Sequence, residues 1–282
     1  MKENEVKVLE LTIPVERQKQ LAVLSEKFNP EGSKLRRYQR HLTNVLLEFD
    51  TVCKEHGIQY FLAYGTLLGA IRHKGYIPWD DDADLWMDRE NYDKLEKLMH
   101  GECHELTDHL SVAMGIRPEL WSPPFAYIDI FILDRRPDNK LIAKIKEWLV
   151  RFVYVMIKLR GRVGTKEWGH YKKMLPLLPI AMLHTKNIWM EKYKQLAQWC
   201  PFSKGTKLIQ CYNETMSGLH RKYSRAVLDE TMLTEFDGHL FPIPAKYDEV
   251  LRECYGDYMQ IPDSNHIHVH GYDQYFENCI NK

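Results

Sequence analysis

The sequence predicts an α/β fold of the α+β kind: a small mixed sheet flanked by helices, with additional helical segments. Three observations point there. Residues 34–56 repeat apolar side chains at helical spacing. The short apolar runs 58–63, 79–87 and 126–133 read as strands. The stretch 140–200 reads as mostly helical.

The elements follow in order. Residues 1–33 form an N-terminal arm of mixed character. In 34–56, Leu35, Tyr38, Leu42, Val45, Leu46, Phe49 and Val52 share a helix face, and Gly57 is the expected stop. "IQYFLA" (58–63) reads as a buried strand, Gly65 as a turn and 66–73 as a short helix broken at Lys74-Gly75-Tyr76. "WDDDADLWM" reads as the second strand, after which Asp88 can cap a helix carrying Tyr92, Leu95 and Met99. Residues 101–124 look irregular, "AYIDIFIL" (126–133) is the third strand, and Asp134-Arg135-Arg136-Pro137 ends it. Near the end, Phe241-Pro242-Ile243-Pro244 reads as a loop and 246–255 as a helix closed by Gly256. The expected organisation is an arm (1–33), a core (34–135), a basic helical insertion (136–200) and a C-terminal segment (201–282).

Composition sets outer limits. The 282 residues suffice for a sizeable core, and 44% apolar with 28% charged is ordinary for a soluble protein. Acids and bases number 39 each, so net charge points to no nucleic-acid partner. Six dispersed cysteines without a CxxC pair fit reduced thiols in the cytoplasm. The first 20 residues lack a long apolar run, so no signal peptide is expected, and no spanning helix is expected anywhere.

Chemistry concentrates in "GTLLGAIRHKGYIPWDDDADLWMD" (65–88). If 79–87 is a strand, Asp80, Asp82 and Asp84 project to one face and Asp81 to the other. Three carboxylates on one face repel each other and lose hydration, so they need protons or cations. Mg²⁺ (or Mn²⁺) takes oxygen ligands and fills its shell with water and substrate phosphate, and such ions clamp the oxygens of a phosphoryl transfer. In "YIDIFIL", Asp129 lies between Tyr127 and Phe131 on the face opposite Ile128, Ile130 and Ile132. Beside the aspartate strand it would add a fourth carboxylate, and it could accept a proton from an attacking hydroxyl. Asp82, Asp84 and Asp129 are thus the catalytic candidates, and Asp80 joins them as a metal ligand.

Gly65 and Thr66 supply the complement. Glycine permits close backbone approach, and a helix start attracts anions. Arg72, His73 and Lys74, one or two turns later, could neutralise a diphosphate.

On these residues the chain resembles the LicD family of phosphocholine and phosphopolyol transferases, to which the fukutin-related proteins are similar. G-T-L-L-G-A-x-R-H is followed by I-P-W-D-x-D-x-D at the family spacing, "YIDIFIL" resembles the later aspartate strand, and "FDGHLFPIPAKYDEVLRECYGDYMQIP" resembles the ending. The resemblance implies a nucleotidyltransferase-like fold, completed at its active site by the C-terminal segment. It also implies a reaction in which CDP-choline gives phosphocholine to a hydroxyl of a glycan or teichoic-acid-type precursor and CMP leaves. Carried over, Asp82 and Asp84 are core metal ligands assisted by Asp80, Asp129 is the third-strand carboxylate, and Gly65 and Thr66 hold donor phosphate. Three alternatives stand beside it: transfer of ribitol or glycerol phosphate from a CDP donor, nucleotidyl transfer to a small acceptor, and a non-enzyme that keeps the fold to bind glycan or lipid.

Choline would need ring faces around its quaternary ammonium, and Trp86, Trp121 and Tyr127 lie nearest the motifs, against a background of ordinary core packing. His266, His268 and His270 alternate in "NHIHVHG", a pattern open to zinc, to a phosphate pocket or to a surface strand. Residues 140–173 carry ten Lys/Arg against two acids, and "MLPLLPIAMLH" follows. Either this is an internal helix with solvated charges, or 140–184 makes a peripheral membrane contact at the inner face, suited to a lipid-linked rather than a free glycan acceptor.

Overall fold

The computed structural model describes residues 6–98, 103–105, 112–114, 128–162, 173–200, 207–212 and 221–261. The chain divides into two compact units. The first comprises Met1–Glu105, Ser111–Ile132 and Ala226–Lys282, and the second Leu106–Leu110 and Leu133–Arg225. Helices and mixed sheets make it an α/β fold.

The first unit opens with β1 (Lys7–Val8), α1 (Val15–Phe28) and α2 (Lys34–Glu55). The arm therefore contains a helix that its pattern conceals: among α1's side chains only Leu21 is buried, so α1 shows little periodic apolar face. Ser33 caps α2 by accepting the Arg36 N–H at 3.0 Å, and Gly57, at φ +60°, ends it. Leu42, Val45, Leu46 and Phe49 on α2 are completely buried.

Next come β2 (Phe61–Leu62), α3 (Tyr64–His73), β3 (Asp84–Asp88), α4 (Arg89–Leu98), β4 (Cys103–Glu105), β5 (Val112–Met114) and β6 (Ile128–Arg135). Two of these, β4 and β5, fall where the sequence looked irregular. Their sheet runs β2-β3-β6-β5-β4, with β2 antiparallel to β3 (Phe61↔Trp86) and β5 antiparallel to β6 (Ala113↔Asp129). Ile128, Ile130 and Ile132 are buried, as the alternation in "YIDIFIL" requires. Asp88 does cap α4, accepting the Asn91 N–H at 2.8 Å.

The expected strand over 79–87 is shorter than its apolar flanks suggest. Ile77–Asp80 is a turn, in which the Asp80 N–H donates to the Ile77 carbonyl at 2.9 Å, and β3 starts only at Asp84. Asp80, Asp81 and Asp82 lie in the irregular lead-in.

The second unit is built on α5 (Lys140–Arg162), α6 (Leu178–Met182) and α7 (Lys186–Gln198), packed through Val150, Met156, Ile157, Ala181, Trp189 and Tyr193. β7 (Leu208–Cys211) pairs antiparallel with β8 (Tyr223–Ser224) and with the last residues of β6. Not all of its basic residues are solvated. Lys146 is fully buried: its Nζ donates to the carbonyls of Arg135 (3.1 Å) and Ala197 (2.7 Å) and lies 4.0 Å from the Tyr212 ring centroid. Lys158 is buried as well. No helix among the described residues is long and apolar enough to cross a membrane.

The chain returns to the first unit with β9 (Thr231–Phe236), β10 (His239–Pro244) and α8 (Tyr247–Tyr255). The Pro-rich stretch read as a loop is the strand β10, antiparallel to β9, with β1 parallel on β9's other side. At a sheet edge, Pro242 and Pro244 can lack N–H donors without breaking the ladder. Asp237 and Gly238, at φ +51° and +83°, form the tight hairpin.

Candidate active site

The site lies in the first unit, where the start of α3 meets the lead-in to β3. Tyr64 opens α3 at φ +40°, braced by edge-on ring contacts with Trp86 (5.4 Å) and Phe131 (4.8 Å). The turn thus falls on Tyr64, one residue before the glycine, and Gly65 serves close approach. A Cβ there would sit 2.8 Å from Asp80 Oδ2 and 4.0 Å from Asp84 Oδ2. The Gly65 N–H donates to the Asp84 carboxylate, so the positive end of α3 is aimed at that group.

Asp84 is held on three sides. Its backbone N–H donates to Thr66 Oγ1 at 2.8 Å, and its carbonyl accepts the Ala63 N–H at 2.9 Å. Its side chain is 9% exposed. Burial pushes its carboxyl well above the usual range, as do the neighbouring charges of Asp82, Asp129 and Asp80; the Gly65 N–H opposes this. The Asp80 carboxyl is likewise pushed well up, first by burial, then by the charge of Asp82 and a hydrogen bond with it, and by Asp81. Asp129 comes from β6, whose backbone N–H donates to the Ala83 carbonyl at 2.9 Å. The four carboxylates expected to converge, Asp80, Asp82, Asp84 and Asp129, are therefore electrostatic neighbours. Asp81 joins them: Asp80, Asp81 and Asp82 each place a carboxylate oxygen within 4.8 Å of the others. Strand alternation placed Asp81 on the opposite face, but 80–83 is not a strand.

A cluster of mutually repelling, largely buried carboxylates around a helix N-terminus offers the all-oxygen donor set that a hard divalent cation takes. Comparison with known proteins shows which group the chain is similar to. The family model described as LicD/FKTN/FKRP, nucleotidyltransferase domain, matches residues 57–118. The lipopolysaccharide cholinephosphotransferase LicD of Haemophilus influenzae is 30% identical over 254 residues, 81% of this chain and 92% of that protein. The ribitol 5-phosphate transferase FKRP of Mus musculus is 36% identical over 74 residues, 26% of this chain and 14% of that protein. The chain belongs to the LicD family. It is a transferase.

Other residues singled out in the LicD motif have other surroundings. Thr66 is buried, with its hydroxyl engaged by the Asp84 N–H. Arg72 is 3% exposed. Its NH1 donates to the carbonyls of Tyr258 and Gln260 (2.9 Å each), and its Nε donates to His73 Nε2 at 3.0 Å. His73 is held down to about 3 by burial, then by Arg72 and Arg17, so it is a neutral acceptor at ordinary pH. Lys74 ends α3 at φ +57° and pairs with Glu235 at 3.2 Å. Arg72 and Lys74 thus tie α3 to the C-terminal part of the first unit, while His73 receives the Arg72 Nε–H. Trp86 is completely buried in β3 and is a core residue, not the wall of an open cage. Trp121, Tyr127 and His270 lie outside the described residues, as do His266 and His268.

Sequence reasoning missed the support behind the aspartates. Gln39, 1% exposed on α2, donates through Nε2 to the Asp80 carbonyl at 2.8 Å. Its Oε1 accepts from Asn29 Nδ2 (2.8 Å), and Asn29 Oδ1 accepts from Ser33 Oγ (2.6 Å). The signal was a glutamine four residues after Leu35 on the apolar face of α2, where an amide must have a partner. Asp237 was missed too. Its carboxylate accepts from Arg36 NH2 (2.6 Å) and Thr43 Oγ1 (2.7 Å), and its N–H donates to the Lys74 carbonyl (2.8 Å), pinning the hairpin to α2 and the end of α3.

Proposed function

We propose that this LicD-family transferase moves phosphocholine from CDP-choline to a hydroxyl of a glycan, releasing CMP, with Mg²⁺ or Mn²⁺ held by Asp80, Asp82, Asp84 and Asp129. The observation behind the proposal is the carboxylate cluster itself. Its donors are all oxygen, and Asp80 and Asp84 are each pushed toward protonation by burial and by their acidic neighbours. That set fits a hard divalent cation, whose charge relieves the repulsion. Bound there, the ion would neutralise the donor diphosphate.

The chain's own residues do the rest. Thr66 and Gly65 fix Asp84, and Gln39 fixes the Asp80 backbone, so the cluster keeps its spacing while a substrate binds. Asp129 takes the proton of the acceptor hydroxyl as its oxygen attacks the phosphorus bearing choline. The bond from that phosphorus to the bridging oxygen breaks, and CMP leaves with the electron pair. Such a reaction asks for positioning and charge neutralisation rather than covalent catalysis. A CDP donor and a lipid-linked acceptor would place the chain at the inner membrane face through residues within 140–184.

Choline is favoured because the cholinephosphotransferase relative matches over 81% of the chain; the FKRP match supports a ribitol phosphate donor as the second reading. The test supplies the purified chain with CDP-choline or CDP-ribitol, Mg²⁺ and lipopolysaccharide, and follows nucleotide release by chromatography. CMP from CDP-choline, abolished by EDTA and by Asp84→Asn, is expected. CMP from CDP-ribitol alone selects the second reading, diphosphate release means nucleotidyl transfer, and no nucleotide release from either donor leaves a binding protein.

A further inference from the structure

The second unit carries a surface feature that the chemistry of the first does not use. Among the described residues, ten of the seventeen exposed large apolar side chains lie in it, both exposed tryptophans included. Three of the ten form a stripe at the start of α5: Leu141 is 68% exposed, Ile145 45% and Trp148 64%. With Phe152 they follow the i, i+4, i+7, i+11 spacing of a single helix face, about 16 Å long. Trp148 stacks on Phe152 at 5.8 Å and 15°, and Phe152 packs against the core of the unit, so the stripe is braced from below.

Three of the seven Lys/Arg of α5 follow the same register, with Glu147 at the remaining place in it. Lys140, Lys144 and Arg151 are all exposed, and each immediately precedes a stripe residue, so they form a second row about 100° round the helix. None has an ion pair among the described residues. The one acid of α5, Glu147, is drawn to Arg136 at 3.3 Å. Composition overstated this positive charge, since Lys146 and Lys158 are buried, but the charge that remains exposed here is ordered along the apolar row.

We propose that this face of α5 lies on an anionic lipid bilayer, with Leu141, Ile145 and Trp148 entering the headgroup boundary and Lys140, Lys144 and Arg151 meeting lipid phosphates. A narrow apolar row centred on tryptophan and flanked by lysine and arginine is the pattern of an interfacial helix. It matches a negatively charged surface by charge as well as by shape. The inference deepens the membrane placement above by naming the surface and the lipid charge. Its test needs neither donor nor acceptor, so it stands or falls apart from the transfer reaction.

The full chain is sedimented with phosphatidylcholine vesicles with and without phosphatidylglycerol. Expected are pelleting with the anionic vesicles only, weakening as salt is raised, and about tenfold weaker binding for Trp148→Glu. Lys144→Glu and Arg151→Glu should each cost about fivefold or more. These positions are exposed, so melting curves should match the wild type; Ile145→Ser is the second variant should Trp148→Glu fail to fold. No pelleting of the wild type with anionic vesicles overturns the proposal, as does equal pelleting of wild type, Trp148→Glu and Ile145→Ser. Self-association abolished by Trp148→Glu, with no vesicle binding, also overturns it and assigns the stripe to a second copy of the chain.

Discussion

Replacing Gly65 by alanine separates the stability of this protein from its chemistry. The added methyl would stand 2.8 Å from Asp80 Oδ2. Ordinary carbon contacts are about 3.5 Å, so the carboxylate must retreat by about 0.7 Å. It can do so, because the atom is the end of a side chain. The backbone of Gly65 does not need a positive φ, and alanine in a helix is worth about 0.4–1 kcal/mol over glycine where the conformation permits. Gly65→Ala should therefore melt at or slightly above the wild-type temperature. Its transfer rate, read as CMP release, should fall about 100-fold, the usual cost of a ~1 Å misplacement in a site of this kind. Gly69→Ala is the control. There the methyl would overlap the Gly75 carbonyl oxygen and lie 3.3 Å from the Ile77 nitrogen, both backbone atoms, so overpacking should cost about 1–3 kcal/mol. Wild-type activity in Gly65→Ala would refute the claim that the Asp80 carboxylate must hold its place. A loss of stability equal to that of Gly69→Ala would refute the assignment of the cost to chemistry.

Further expectations follow from the same geometry. Thr66→Val deprives the buried Asp84 N–H of its acceptor and should cost about 1–3 kcal/mol in urea unfolding together with most activity, while Thr66→Ser, which keeps the hydroxyl, should restore both. His73 sits at about 3 when folded against about 6.5 in an unfolded chain, so between those values only the unfolded state takes up its proton. Its contribution is full above about pH 6.5 and lost as pH falls, by about 2 kcal/mol at pH 5; urea midpoints at pH 5 and 7 should show His73→Gln losing less over that interval. Asp237→Ala removes the bonds to Arg36 and Thr43 and puts alanine at φ +51°, for about 3 kcal/mol, whereas Asp237→Asn, at home in that conformation, should cost less than half as much by thermal melting.

Much of the site was legible because two simple rules apply to it. Alternation in "YIDIFIL" buried the isoleucines and left Asp129 on the other face, toward the acidic cluster. The glycine followed by a cluster of aspartates announced a close approach, and Gly65 makes one. Legibility failed where a local rule was outbid by a longer-range contact. The turn at Ile77–Asp80 ended strand alternation before it began, so Asp81 turned inward with its neighbours. Arg72, His73 and Lys74 look like a phosphate clamp in sequence, but a chain segment nearly 190 residues away claims the guanidinium. Prolines in 241–244 signalled a loop because no sequence rule says which strand will lie at an edge. In α5, a count of lysines and arginines could not tell Lys146, enclosed by carbonyls and a ring, from Lys144 in solvent.

The grip of Gln39 on the Asp80 carbonyl has a further consequence. The linkage through Asn29 and Ser33 is made of amides and a hydroxyl, none of which gains or loses a proton across the physiological range. In the proposed reaction the acidic residues in front of it would change charge whenever an ion or a substrate arrived or departed. A scaffold without titratable groups would not register those events, so the cluster would empty and refill through repeated turnovers without having to rebuild its framework each time.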